Sequence, residues 1–519
     1  MKRIKMLLVI VVITISSFPV SGQLEFQECV TDSRNPWEWP SNNHWFVGQY
    51  SGSLISGGAS SGQLINFQGG SGFSKSVLTQ PMAVYEGVTA ISDDNGDLVL
   101  ISNGKYAWDV AGNITSTDIK EGDEAGGVDP TNPGSKQVGS SSQGVMSVRH
   151  PLTPNDYYVI SVGDIIGAYL PGMTYNIFNE KGVETQGNTP LGVLVTEGIT
   201  ATLHENGIDV WVVAQKAESA DYYAFLLTCD GFDPPVISSV GRPVSGNDAR
   251  GGLAFSHDGE KLASCFPGSG VTQATIYDFD KKTGQLSGKE DIAPFNKIVG
   301  AYDVIFSKDN SKLYITSGGF GLQEIDIATK VYKSNIVTGP SNSNHTIEIG
   351  RDGNYYLNGA DGLWSWNGGG SASKVDDASG WGLPTLYVPP AEEPDIEEVG
   401  PFCDTTQIID LHTNWVCCKL SAEDTLLQRH LYQGNGIVDD KLGHFNPAIA
   451  GPGLHEIIFT YCDVNDTIWI DVKFCPNCRV ELEVEHPEIC VGEELRLDTF
   501  INIANGDRFW TIDSFPTTA

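Results

Sequence analysis

At 519 residues the chain has room for roughly two to four domains. Its 65 acidic side chains outnumber 31 basic ones and leave a formal charge of −34, a field that repels phosphate backbones and argues against nucleic acid as a partner. Glycine is abundant (59 residues) and helix-period runs are missing after the first residues, so a helical bundle is excluded and an all-β fold is expected.

The chain opens with Lys2, Arg3 and Lys5, the apolar run "MLLVIVVITI" from Met6, and "SSFPVSG" from Ser16. A charged start, a short apolar stretch and small residues at Ser21 and Gly22 read as a secretory signal peptide over 1–22. No later stretch is long and apolar enough to cross a bilayer as a helix. The expected mature protein is secreted or held at the cell surface.

From 23 to 388 one phrase recurs. "FSHDGEKLAS" begins at Phe255 and "FSKDNSKLYI" at Phe306, each reading as two short strands around a polar turn. Relaxed copies start at Val88, Gly144, Gly198 and His345. The units start about 39 to 57 residues apart, which suits four-stranded propeller blades. "NHWFVGQYSGSLIS" from Asn43 and "GWGLPTLYV" from Gly380 fit no internal unit, and together they are expected to form one mixed blade that closes the ring by strand pairing. The expected fold is a β-propeller of seven blades, with six as the alternative.

The segments "HWFVGQYSGSL", "GVTAISDDNGDLVLISNGKYAWD", "SSSQGVMSVRHPLTPNDYYVIS" and "FSHDGEKLAS…IYDFDKKTG" resemble the N-terminal propeller of large secreted Bacteroidota surface proteins. Those proteins carry gliding-motility-associated C-terminal domains and leave the cell by type IX secretion. The resemblance covers most of Asn43 to Val388. It implies a cell-surface or released protein and supplies no catalytic residues.

"VPPAEEPDIEEVGP" from Val388 reads as a stiff, solvated linker over 389–401. Beyond it, "YQGNGIVDDKLGHFNPAIAGPG" resembles the Ig-like modules strung along bacterial surface proteins, with Phe445 and Ile449 expected to pack inward. An Ig-like module is therefore expected over 402–474. The stretch 479–519 looks like the start of a second module too short to close, so the sequence reads as a fragment of a longer protein.

Cys403, Cys417, Cys418, Cys462, Cys475, Cys478 and Cys490 crowd this C-terminal part. Cys475-Pro-Asn-Cys478 lies between β-rich segments rather than before a helix, which disfavours a thioredoxin-like role. Adjacent Cys417 and Cys418 space poorly for one zinc ion. Disulfides are the better reading in an exported chain, with pairing left open.

No nucleophile elbow, zincin, Walker or Rossmann pattern occurs, so no catalytic, cofactor-binding or metal-ligating residue is assigned and no cofactor is expected. Asp93, Asp94 and Asp97 in "SDDNGD" read as a hairpin turn, a structural calcium being the weaker alternative. His257 holds a turn position that is Lys308 and Arg351 in sister copies, so it is expected at the solvent surface. Trp45, Trp108, Trp211, Trp364, Trp366 and Trp381 are expected to pack the ring more than to line a sugar-binding face. The leading expectation is a non-enzymatic binding or adhesion protein for an extracellular protein or polysaccharide. The alternative is a lactonase-like propeller hydrolase acting on an extracellular small molecule or polysaccharide.

Overall fold

The computed structural model describes residues 35–47, 63–67, 72–77, 86–117, 119, 141–151, 156–163, 172–268, 274–293, 298, 300–318, 321–340, 345–359, 361–377, 382–389, 396, 398–411, 430–461 and 464–475. The expected signal peptide, the expected second module, Trp381 and Cys417, Cys418, Cys462, Cys478 and Cys490 lie outside them.

The described chain is all-β, and its turns explain its repetition. In the phrase at Phe255, the Ser256 hydroxyl donates to Asp258 and accepts from the Lys261 N–H at 2.9 Å. In the sister phrase Ser307 does the same with Asp309 and Lys312, again at 2.9 Å. Asn310, at φ 56°, supplies the left-handed position that Gly259 fills at φ 73° in the first copy. The two turns also touch. Asn310 accepts from the His257 N–H and donates to Asp258, both at 3.0 Å.

Seven antiparallel sheets follow one another between His44 and Asp376. Their first strands are His44–Val47, Thr89–Ser92, Val145–Arg149, Val195–Leu203, Leu253–Phe255, Ala301–Phe306 and His345–Ile349. Each sheet meanders outward from its first strand, and from the first sheet to the seventh the first strand of each adjoins that of the next. Apolar clusters fill the gaps between neighbouring sheets. Met146 and Tyr158 of the third sheet pack on Val210 and Phe225 of the fourth. Trp211 of the fourth packs on Phe279 of the fifth. Between the seventh sheet and the first, Tyr356 and Leu363 pack on Trp45, Ile65 and Phe67. The result is a closed, propeller-like ring.

The closure differs from the expected mixed blade. Three strands of the first sheet come from one stretch, His44–Val47, Gln63–Phe67 and Phe73–Val77. Residues 382–389 form no strand, and Thr385 to Val388 border a cavity that the first strands of the fourth, fifth, sixth and seventh sheets also line. Side-chain packing joins the ends of the ring, supported at the rim by Lys75 with Asp376 at 2.5 Å and by Arg351 donating to Asn43 at 2.8 Å.

Beyond the ring, Phe402–Cys403, Val464–Lys473, Gly453–Tyr461 and His430–Gly434 form a four-stranded sheet. A three-stranded sheet of Ile409–Asp410, His444–Phe445 and Ile437–Asp439 belongs to the same unit. Leu411, Tyr432, Phe445, Ile457, Phe459, Ile468 and Ile470 make its core. Phe445 is inward as expected, but Ile449 is 61% exposed because Asn446 caps a single helical turn, Pro447–Ala450, that carries it outward. Cys403 is disulfide-bonded to Cys475, tying the first strand to the end of the last.

Two features depart from a ring and module joined by a solvated linker. Ile396 is buried in the module's core, and its N–H donates to Asp466 at 2.7 Å. Ile208, in a turn of the fourth sheet, packs into that same core. Next to it, buried Asp209 accepts from the Tyr461 hydroxyl at 2.9 Å through both carboxylate oxygens. Cys229, absent from the sequence-based disulfide candidates, is disulfide-bonded to a partner outside the described residues and packs against this core.

Candidate functional site: the central channel

The first strands of the sheets wall a central channel, and the chain itself occupies it. Gly382 sits where those strands begin: its carbonyl accepts from Asn358 at 2.9 Å, and a Cβ there would lie 1.6 Å from the Glu86 carbonyl. Leu383 packs with Trp45 and Tyr356 on one side of the channel. Tyr387 packs with Val148 and Val195 on another. Its hydroxyl accepts from the N–H of Arg149, the last residue of a first strand, at 2.6 Å. Extended over seven residues, Gly382–Val388 reaches roughly 23 Å at most, enough to follow a first strand from end to end. We call this segment the strap.

A second plug comes from the other end of the chain. The short 3-10 helix Pro36–Glu38 places Trp37 edge-on against His257, ring centres 4.6 Å apart. Asn42 ties the two plugs by donating to the Pro36 and Tyr387 carbonyls. Among the described residues, strap and wall border a cavity of about 50 Å³, lined by Trp37, Thr200, His257, Ile347, Glu348 and Leu386 among others. That is space on the scale of a few water molecules, far below a substrate pocket.

The channel wall carries acidic groups that the sequence could not place. Glu86 accepts from the Tyr302 hydroxyl at 2.7 Å. Glu197, fully buried, accepts from the Ser142 N–H at 3.0 Å. Asp303 accepts from the N–H groups of Val304 and Ile347, each at 2.9 Å. Burial still outweighs those bonds and pushes its carboxyl up to about 7. Glu348 accepts from the Ile349 N–H at 2.8 Å and is pushed up to about 8, by burial first and by the charge of Asp303 as well. It keeps some accessible surface, and what it faces is the cavity.

A signal for Asp303 existed in the repeat. Gly252 stands at its place in the preceding copy, and a Cβ on Gly252 would come within 2.3 Å of Asp303 Oδ1. The glycine of one sheet makes room for the carboxylate of the next.

His257 is not the surface residue expected. It lies under Trp37, and burial lowers it to about 4, so the ring is neutral near pH 7. Its Nε2 is buried without a hydrogen-bond partner among the described residues. The sister residues do differ: Lys308 lies over the Tyr355 ring at 5.6 Å, and Arg351 bonds Asn43. Free variation at a repeat position reflected different neighbours rather than exposure.

Trp45, Trp108, Trp211 and Trp366 are buried between sheets and Trp364 is half-buried, which fits ring packing. Asp93 accepts from the N–H groups of Asn95 and Asp97 within its own turn, and Asp94 pairs with Arg149. Buried Cys265 has its thiol pushed well up by burial, and its Sγ accepts from the Gly252 N–H at 3.1 Å. That environment holds it as an inert thiol.

No family model and no curated protein matches the chain. Among solved structures, a protein from Lactobacillus plantarum aligns at 12% identity and TM-score 0.39, over 66% of this chain and 98% of that one. Hydrazine synthase of Kuenenia stuttgartiensis aligns at 12% identity and TM-score 0.34, over 56% of this chain and 77% of its own. A Bacteroides uniformis chain named "putative 6-phosphogluconolactonase" aligns at 13% identity and TM-score 0.37, over 62% of this chain and 91% of that one. At scores this low the likenesses carry no argument about function. No described helix is long and apolar enough to cross a membrane.

Proposed function

We propose that the chain is a non-enzymatic binding protein exported to the cell surface or beyond. In this reading the seven sheets are the blades of a seven-bladed propeller, and the unit after residue 402 is an Ig-like spacer. Residues 1–22 are its export signal, and the resemblance to Bacteroidota surface proteins supplies the setting. The partner is an extracellular protein or polysaccharide, bound on the outer faces of the ring.

One observation carries the reading: among the described residues, Trp37 and the strap occupy the channel where a propeller enzyme gathers residues from several blades around a substrate. Binding of the full chain to arrays of polysaccharides and purified surface proteins tests it, with saturable binding expected.

A hydrolase remains the second reading, favoured by buried Asp303 and by Glu348 facing the cavity, two carboxyls raised toward the range of a general acid. Turnover of esters or lactones at enzyme-like rates, abolished by Glu348→Gln, would replace the first reading with this one.

A further inference from the structure

The C-terminal unit shows water an apolar face close to where the chain leaves it. Along Gly453–Tyr461 and Val464–Lys473, Ile457, Phe459, Ile468 and Ile470 turn inward, so Leu454, Glu456, Thr467, Trp469 and Asp471 turn outward. Trp469 is opposite Glu456 and Leu454 is opposite Asp471, which makes Leu454 and Trp469 diagonal neighbours within reach of each other. They are 62% and 56% exposed. Phe474, just past the strand, is 69% exposed. The helical turn that carries exposed Ile449 is tied to the same sheet by His455, which donates to the Gly451 carbonyl at 2.7 Å.

We propose that this face is the seat of the chain's own continuation: Val480, Leu482 and Val484 lie on Leu454 and Trp469, so the module they begin stacks on this one.

The exit point, the sequence pattern and the charges favour that occupant. Cys475 is bonded to Cys403 and its N–H donates to Asp404 at 2.9 Å, so the chain leaves from a fixed point at this end of the sheet. Trp469 lies about 20 Å back along the strand, and Leu482, seven residues past Cys475, reaches about 24 Å. Pro476 and Asn477 are residues that favour a reversal of the chain. In "RVELEVEH" from Arg479, Val480, Leu482 and Val484 alternate with Glu481, Glu483 and Glu485, the pattern of a strand with one apolar face to cover. Its glutamates then point away from the sheet into water. The outward row of the sheet carries Glu456 and Asp471 against Lys473, and the segment brings Arg479 to it. The seat extends the spacer reading, because stacked modules make a stiff stalk, and a failure of array binding would leave it standing.

Hydroxyl-radical footprinting of the full chain, read by mass spectrometry, tests this. Leu454 and Trp469 should be labelled several-fold more slowly in the wild type than in the double variant Leu482→Asp/Val484→Asp. Val331, 53% exposed on the ring, should keep its rate and serve as the reference. In the reciprocal variant Trp469→Asp, the amides of residues 480–484 should exchange about tenfold faster than in the wild type. If Leu454 and Trp469 label equally in the wild type and the double variant, or residues 480–484 exchange equally in Trp469→Asp, the proposal is overturned. Protection that falls on dilution puts a second copy on the face and overturns it as well. Should the double variant not fold, Trp469→Asp decides, since replacing an exposed side chain leaves the core of the unit intact.

Discussion

Replacing Tyr387 separates a strap that is part of the core from a tail that merely passes through the ring. Its side chain is 3% exposed and packs with Val148, Val195 and their neighbours between the third and fourth sheets. Tyr387→Ala removes a buried aromatic ring and leaves a cavity, which in protein cores costs about 3–5 kcal/mol. Tyr387→Phe keeps the ring and removes only the oxygen that accepts from the Arg149 N–H at 2.6 Å. That leaves a buried donor unmade, at about 1–3 kcal/mol. Urea unfolding of the full chain, following the ring's transition at pH 7, measures both. The expected order is Ala well above Phe, with Phe clearly above zero. A loss below about 0.5 kcal/mol for Tyr387→Ala, the range of ordinary surface changes, would refute the placement of the strap in the channel.

Other expectations follow from the same geometry. Trp45→Ala should cost the ring about 3–5 kcal/mol because Trp45 fills the gap between the first and seventh sheets. Lys75→Ala, which removes a rim ion pair with Asp376, should cost less than about 1 kcal/mol in the same melts. Cys403→Ser opens a loop of 72 residues and should destabilise the C-terminal unit by about 4 kcal/mol on the chain-entropy scale, seen in calorimetry as a lowered second transition. His257 has a folded value near 4 against 6.5 unfolded, so the unfolded chain binds the extra proton between those pH values. Its contribution to stability is therefore lost as pH falls through that window. The difference between wild type and His257→Gln should shrink by about 1.4 kcal/mol per unit on acidification from pH 6.5 to 4.

The blade turns were legible because their causes are local. Ser256 and Ser307 reach Asp258 and Asp309 two residues on and Lys261 and Lys312 five residues on, so the same short phrase writes the same hairpin wherever it stands. Side-chain alternation along Gly453–Tyr461 likewise puts Ile457, Phe459 and Tyr461 on one inward face of the C-terminal unit. The centre of the ring was not legible in that way. Tyr387 finds Arg149 across a sequence separation of 238, and Tyr461 finds Asp209 across 252. Nothing in "GWGLPTLYV" distinguishes a strand that pairs from a strap that fills a hole, since both are short, apolar and extended. The same holds for His257, whose exposure was decided by Trp37 arriving from the far end of the chain. Local hydrogen-bonding and side-chain period set which segments are strands and turns. Ring closure sets which of them face the centre, because only when the seventh sheet packs on the first does a channel exist for the strap, Trp37 and the buried carboxyls to share.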